Sequence, residues 1–448
     1  MPLPELPPQG GPPGPWKVPS MVSRTLPSGL QIVVARLPWL PVVHIRWALR
    51  GGRLLEAPGK TGSAGLLGSV ARHGTARYDS AGLASALDYL GASLRISVGL
   101  DSASAGISGL SEHTDVLLDL VDEALLRPTF PEAHFIRERD NALQVHRHQR
   151  AQPSVIAGGW LARSLYGNHP YGHPAVVSEE LAGLTAGDLR ALHSRILAPQ
   201  RGLVLVVGDV DAEATADALS ERYADFPVGA PLPKPPPATL SRRLIAIERA
   251  AAEQVVILLG LPLFSWGAPD HLPMEIVNQA LGGGAGSRLF NELRERDGLT
   301  YSAWTALDLG IHGGDFSAGL SCSPDKAPAA IAALMDALKR PLTADEISGA
   351  RRYIIGAFPQ RASGVGGVAA LLYTAWLYGR PVSAWADYLP DIASLSDDTI
   401  RSVAARLIRP EQASIVAVGP AAAAAGVLSG LGDVEERAQD DRGFEASV

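Results

Sequence analysis

Residues 184–208 (LTAGDLRALHSRILAPQRGLVLVVG) and 395–419 (LSDDTIRSVAARLIRPEQASIVAVG) align without a gap at one offset of 211 residues. Leu184/Leu395, Arg190/Arg401, Arg195/Arg406, Pro199/Pro410, Val207/Val418 and Gly208/Gly419 are identical pairs. Each copy reads as an amphipathic helix, a proline turn and an apolar strand. A repeat at that distance limits the chain to two similar units. Neighbouring segments agree: residues 115–139 parallel residues 329–352, each an apolar helix, a proline and a second helix. In the second copy Thr343 and Glu346 have capping-box spacing. Strand-like runs precede these helices at 94–100 and 103–110, and again at 302–309 and 315–322. The expected fold is α+β, with two homologous α/β-roll domains, each a mainly antiparallel sheet with helices on one face.

Proline marks the boundaries. Residues 226–240 (FPVGAPLPKPPPATL) hold six prolines, too many for a helix or a central strand. The division is a Pro-rich arm over 1–22, an N-terminal unit over 23–225, a linker over 226–243, a C-terminal unit over 244–430 and an acidic tail over 431–448. The arm, with eight prolines in its first twenty residues, is expected to be disordered, and the tail solvated.

At 448 residues the chain exceeds one ordinary core of ~100–200 residues. A net charge of −7 argues against a duplex nucleic-acid partner. The longest apolar run, 366–379, is shorter than the ~20 residues of a bilayer span, so no membrane segment is expected. The single cysteine, Cys322, permits no internal disulfide and reads as a small residue at a strand end, in keeping with a cytoplasmic location.

The segment 282–302 (GGGAGSRLFNELRERDGLTYS) carries the chemistry. A glycine loop built on Gly282, Gly283, Gly284 and Gly286 opens a helix bearing Arg294, and Tyr301 follows seven residues later. A guanidinium and a phenol beside such a turn can grip a peptide carbonyl or its oxyanion. The loop lacks the Lys-Ser/Thr of a phosphate loop and follows a helix-like segment, which excludes the usual nucleotide sites. There is no Gly-x-Ser-x-Gly elbow. His146 and His148 lie two apart on a helix, pointing away from each other, and read as solvated. His169 and His173, in LYGNHPYGHP, read as parts of a structural turn.

The order of GLQIVV (29–34), His73-Gly-Thr, LASALDYLGASL (83–94), YGNHPYGHP and GSRLFNELRERDGLTYS resembles the pitrilysin/insulinase-type zinc peptidases, in their bacterial and mitochondrial-processing branch, over residues 25–420. Active members carry an inverted His-x-x-Glu-His zinc motif on the first helix of the N-terminal half. Laid on this chain, that motif falls on Gly65, Gly68 and Ser69, and the family's third ligand, a glutamate, falls on Val145. None of these can replace a zinc-binding imidazole or carboxylate. Small residues at 65, 68 and 69 read instead as allowing close helix packing. The family's C-terminal Arg/Tyr pair, seven residues apart, matches Arg294 and Tyr301.

The resemblance implies half of a clam-shaped dimer around a peptide-sized chamber. This chain would be the non-zinc subunit, inactive alone and without a cofactor of its own. A homologous partner carrying His-x-x-Glu-His would hold the zinc. Arg294 and Tyr301 would act on the peptide substrate while Gly282, Gly283, Gly284 and Gly286 line the chamber. The alternative is a catalytically inactive peptide-binding or assembly subunit of the same fold.

Overall fold

The computed structural model describes residues 14–173, 176–226, 228–238 and 241–438. Each repeat copy folds as its sequence dictates. Helix Ala186–Ile196, capped by a Thr185/Asp188 box, turns through Pro199–Arg201 into a strand, and helix Asp397–Leu407 turns through Pro410–Gln412 into its counterpart. The first sheet contains β1 (Met21–Thr25), β2 (Gln31–Arg36), β3 (Val42–Arg50), β4 (Ser93–Val98), β5 (Ser102–Leu110) and β6 (Gly202–Gly208). The second contains β7 (Leu244–Glu248), β8 (Val255–Leu263), β9 (Ser302–Leu309), β10 (Gly314–Cys322), β11 (Ser414–Gly419) and β12 (Val434–Arg437).

The strand orders are β1-β2-β6-β3-β5-β4 and β12-β7-β11-β8-β10-β9. Five strands therefore correspond in the same order, with the repeat strands β6 and β11 in the interior. Most pairs are antiparallel, but β2–β6, β7–β11 and β7–β12 run parallel. The sixth strand comes from opposite ends of the chain: β1 pairs antiparallel with β2, and β12 parallel with β7.

The expectation for the chain ends is corrected where the structure describes them. Trp16, inside the arm, packs edge-on against Phe358 at 6.2 Å, and its backbone N–H donates to the Ala386 carbonyl at 3.1 Å. An indole of that area is more stable buried than solvated. In the tail, Glu435 on β12 accepts two bonds from the Arg243 guanidinium at 2.7 and 2.6 Å, which offsets the cost of packing an acidic strand on the sheet. Residues 1–13 and 439–448 lie outside the described residues.

Helices cover both faces of each sheet, and the second face is covered from the other half. In β6, Val204 and Val206 join the N-terminal core, while Leu203, Leu205 and Val207 face Val368, Ala369 and Leu372 of helix Gly364–Leu377. In β11, Ile415 and Ala417 join the C-terminal core, while Val416 and Val418 face helix Pro153–Tyr166 through Trp160, Leu161 and Leu165. The two halves thus exchange one helix each. A Cβ on Gly260 of β8 would come within 2.8 Å of the Leu165 side-chain end, so even one methyl there would make the leucines of the exchanged helix shift.

A polar clasp joins the same halves. The Tyr171 hydroxyl lies 2.7 Å from Asp101, whose carboxylate accepts the Ile311 N–H at 3.2 Å from the turn between β9 and β10. The Tyr166 hydroxyl donates to Asp315 on β10 at 2.6 Å. Among the described residues, no helix is long and apolar enough to cross a membrane.

Candidate functional site: the glycine loop and the Arg294–Tyr301 pair

The loop follows helix His271–Leu281 and seals onto edge strand β9. Gly282 is buried, and its carbonyl accepts the Thr305 N–H at 3.3 Å. A Cβ on Gly282 would lie 2.3 Å from that same nitrogen, so no other residue fits. Gly282 therefore serves packing, whereas Gly283 and Gly286 are exposed and Gly284 is half-buried on the open side of the loop.

Beyond the loop the chain forms a π-helix over Phe290–Arg296, anchored on its inner side by fully buried Leu289 and Leu293. Residues four apart share one side of this helix, and Phe290 and Arg294 stack there. The Arg294 guanidinium carbon lies 4.5 Å from the Phe290 ring centre and 5.0 Å from the Tyr301 ring centre. A cation held between two aromatic faces keeps its N–H fork in one plane. One side contact offsets its charge, Glu295 at 3.4 Å.

Tyr301 is positioned from the other direction. The chain reverses at Gly298, whose φ of 58° favours glycine, and its carbonyl accepts a bond from Lys326 at 2.8 Å. The buried Thr300 hydroxyl, 2.6 Å from the Ser321 carbonyl, then fixes the start of β9. Tyr301 itself is 77% exposed. The structure thus brings together the two residues expected to act together, at the surface.

Arg288 is a residue that the sequence reading passed over. It is 3% exposed, and its guanidinium bonds the carbonyls of Ala337, Arg340 and Pro341 and both oxygens of Glu346, at 2.6–2.8 Å. The available signal was its place in Ser-Arg-Leu-Phe, one residue before the buried Leu289.

The corresponding region of the N-terminal half has different chemistry. Helix Ser63–Val70 packs against helix Glu132–Arg150. Gly65 is exposed and a Cβ there would meet open space, so close packing does not account for it. Nor is glycine required at Gly68, where a Cβ would lie 3.4 Å from the Ile96 carbonyl oxygen of β4, an ordinary contact distance. Ser69 bonds back to the Gly65 carbonyl at 3.3 Å, and Val145 is exposed on the neighbouring helix. Two glycines, a serine and a valine do not form a zinc donor set. Among the described residues, no group of three or more His, Cys, Asp or Glu could hold a metal ion.

The histidines divide. His148 is exposed, as expected, but His146 is half-buried, and burial together with Arg150 lowers its pKa, because its helix packs against Ser178–Ala182. His169 is a structural residue: it is buried, and its Nδ1 accepts the Tyr171 N–H at 3.1 Å. Burial pushes the Cys322 thiol up to about 11, which makes it unreactive.

Comparison with known proteins fits this arrangement. A family model described as the peptidase M16 inactive domain matches residues 183–352, from the repeat helix of the first half through the glycine loop and Arg/Tyr segment of the second. The chain is thus similar to M16 peptidase-family proteins in part of its sequence and in fold. An uncharacterized zinc protease of Mycobacterium leprae is 27% identical over 67% of this chain and 69% of its own length. The non-peptidase homolog YmxG of Helicobacter pylori is 22% identical over 80% and 84%. The fold matches a crystal structure of a peptidase M16 inactive domain from Pseudomonas fluorescens, with a TM-score of 0.83, 23% identity and coverage of 89% of this chain and 98% of that one. In this chain the aromatic-clamped Arg294 and the positions Gly65, Gly68, Ser69 and Val145 lie in different halves.

Proposed function

We propose that this chain is the non-zinc subunit of a two-chain M16 metallopeptidase that cleaves peptides, precursor leaders among them, in the cytoplasm. The observation carrying this reading is the Arg294 fork, clamped by Phe290 and Tyr301 on an exposed surface, in a chain whose Gly65, Gly68, Ser69 and Val145 cannot bind zinc. A homologous partner with His-x-x-Glu-His would hold the zinc, which supplies a polarised water. On this chain, Arg294 would orient the scissile carbonyl through charge-assisted bonds and Tyr301 would donate to the oxyanion as it forms. The exposed glycines would leave space for the peptide to pass.

The test is to purify the native complex on a tagged copy of this chain, identify its partner and measure its zinc and peptide hydrolysis. A zinc-bearing partner and activity that depends on both chains are expected. A complex without a zinc subunit would overturn the reading. That result would favour an inactive peptide-binding or assembly role, the reading favoured by likeness to a relative named as a non-peptidase homolog.

A further inference from the structure

The Thr343/Glu346 capping box is seen in the structure: Thr343 N–H donates to Glu346 Oε2 at 2.8 Å, and Glu346 N–H to Thr343 Oγ1 at 3.3 Å. A cap needs one oxygen. Both oxygens of Glu346 also receive the Arg288 guanidinium, at 2.7 and 2.6 Å. Burial pushes the Glu346 carboxyl up, but its bonds from Arg288 and Thr343 outweigh that and hold it below its ordinary range. The other Arg288 donors are taken by the carbonyls of Ala337, in the last turn of helix Ala327–Lys339, and of Arg340 and Pro341, in the turn before helix Ala344–Arg361. One helical turn beyond Arg288, Glu292 pairs with Arg340 of that turn. Arg288 and Glu292 therefore fasten one side of the helical segment to the turn. Arg294 projects elsewhere, toward Tyr301.

We propose that Arg288 and Glu346 are positioning residues for the Arg294–Tyr301 pair, with the cap of a distant helix serving as the fixed point that holds the π-helical segment in register. The claim that this affects turnover rests on the function proposed above; the claim about register does not. A bidentate guanidinium–carboxylate pair fixes angle as well as distance. Without it, the π-helical segment is free to rotate and shift against the Ala337–Glu346 region, which changes the distance from Arg294 to Tyr301, the ring supplied from outside the helix.

The full-length chain labelled with ¹⁵N-arginine gives a direct readout, because the Arg294 Nε–H lies beside two aromatic rings and its resonance is displaced by their ring currents. Arg294→Lys identifies the peak by its loss. Glu346→Gln and Arg288→Lys should each move it at least halfway toward the position of a free arginine. Thr343→Ala, which breaks the cap but spares the Arg288–Glu346 fork, should leave it in place. Glu346→Gln keeps an acceptor for the cap, so it should remain folded; Arg288→Lys provides a second variant that retains the charge. An unmoved peak in both variants, or an equal shift in Thr343→Ala, overturns the proposal. In the purified native complex, assayed with a mixture of internally quenched peptides, Glu346→Gln should lower kcat about tenfold with little change in KM, and Thr343→Ala less than twofold. If Arg294→Ala leaves hydrolysis intact, the functional reading fails while the resonance still decides the positioning role.

Discussion

In the function proposed above, Arg294 would act through its planar fork and Tyr301 through its exposed hydroxyl. In the two-chain complex, Arg294→Ala should lower kcat by about 10²-fold, the range for removing one donor to a developing oxyanion, with assembly unchanged by size-exclusion chromatography. Tyr301→Phe keeps the aromatic face against Arg294 and removes only the hydroxyl. Its kcat should also fall by about 10²-fold, and a wild-type rate would remove the donor role proposed for its hydroxyl. Two other buried groups set opposing pH responses. Burial, aided by Arg46, lowers His44 to about 4, so between pH 6.5 and 4 the unfolded chain binds a proton that the folded chain refuses. Acidification then costs on the order of 3 kcal/mol at that site. Burial raises Asp315 to about 6, so its folded carboxyl takes up a proton first and stability rises as pH falls through that value. Urea midpoints measured between pH 7 and 4.5 should flatten in His44→Gln and steepen in Asp315→Asn. The seven-residue spacing of Arg294 and Tyr301 was legible in the sequence. The π turn over Phe290–Arg296 was not, because an extra residue per turn leaves no signature in an apolar pattern of one or two turns.

At the scale of elements, strand β9 has the bounds read from sequence, and the Thr343/Glu346 cap forms. Thr343→Ala should cost about 1 kcal/mol in urea denaturation. The exchange of helices was harder to see. Residues 202–208 (GLVLVVG) are buried throughout, and an apolar run without alternation is the mark of a strand covered on both faces. That pattern shows a second cover but cannot say which helix supplies it. Helix Gly364–Leu377, apolar around most of its circumference, was legible only as too short for a membrane. Leu372→Ala on this helix should cost about 2–5 kcal/mol, although Leu372 belongs to the C-terminal half and faces the N-terminal sheet. Strand β12 escaped the reading because Val434-Glu-Glu-Arg has little β propensity, and its pairing depends on Arg243, far away in sequence.

For the whole molecule, duplication was legible, and the two sheets share five strands in one order. How the halves join was not, because contacts between distant segments follow from shape, with no local pattern to mark them. Reciprocal helices and the Tyr171–Asp101 clasp make one cooperative unit. Tyr171→Phe removes the hydroxyl bound by Asp101 and should cost about 1–3 kcal/mol. Heat capacity should still show one transition; two well-separated transitions in the wild type would contradict this coupling.

The proline-rich segment between the halves therefore acts as a tether and does not act as a hinge. Cutting it with a protease should leave the two pieces held together, since each carries the cover for the other's sheet. Produced separately, each fragment would expose a bare apolar sheet face and aggregate; produced together, they should recover one folded particle. The two polypeptides would then complement each other as this single chain complements itself.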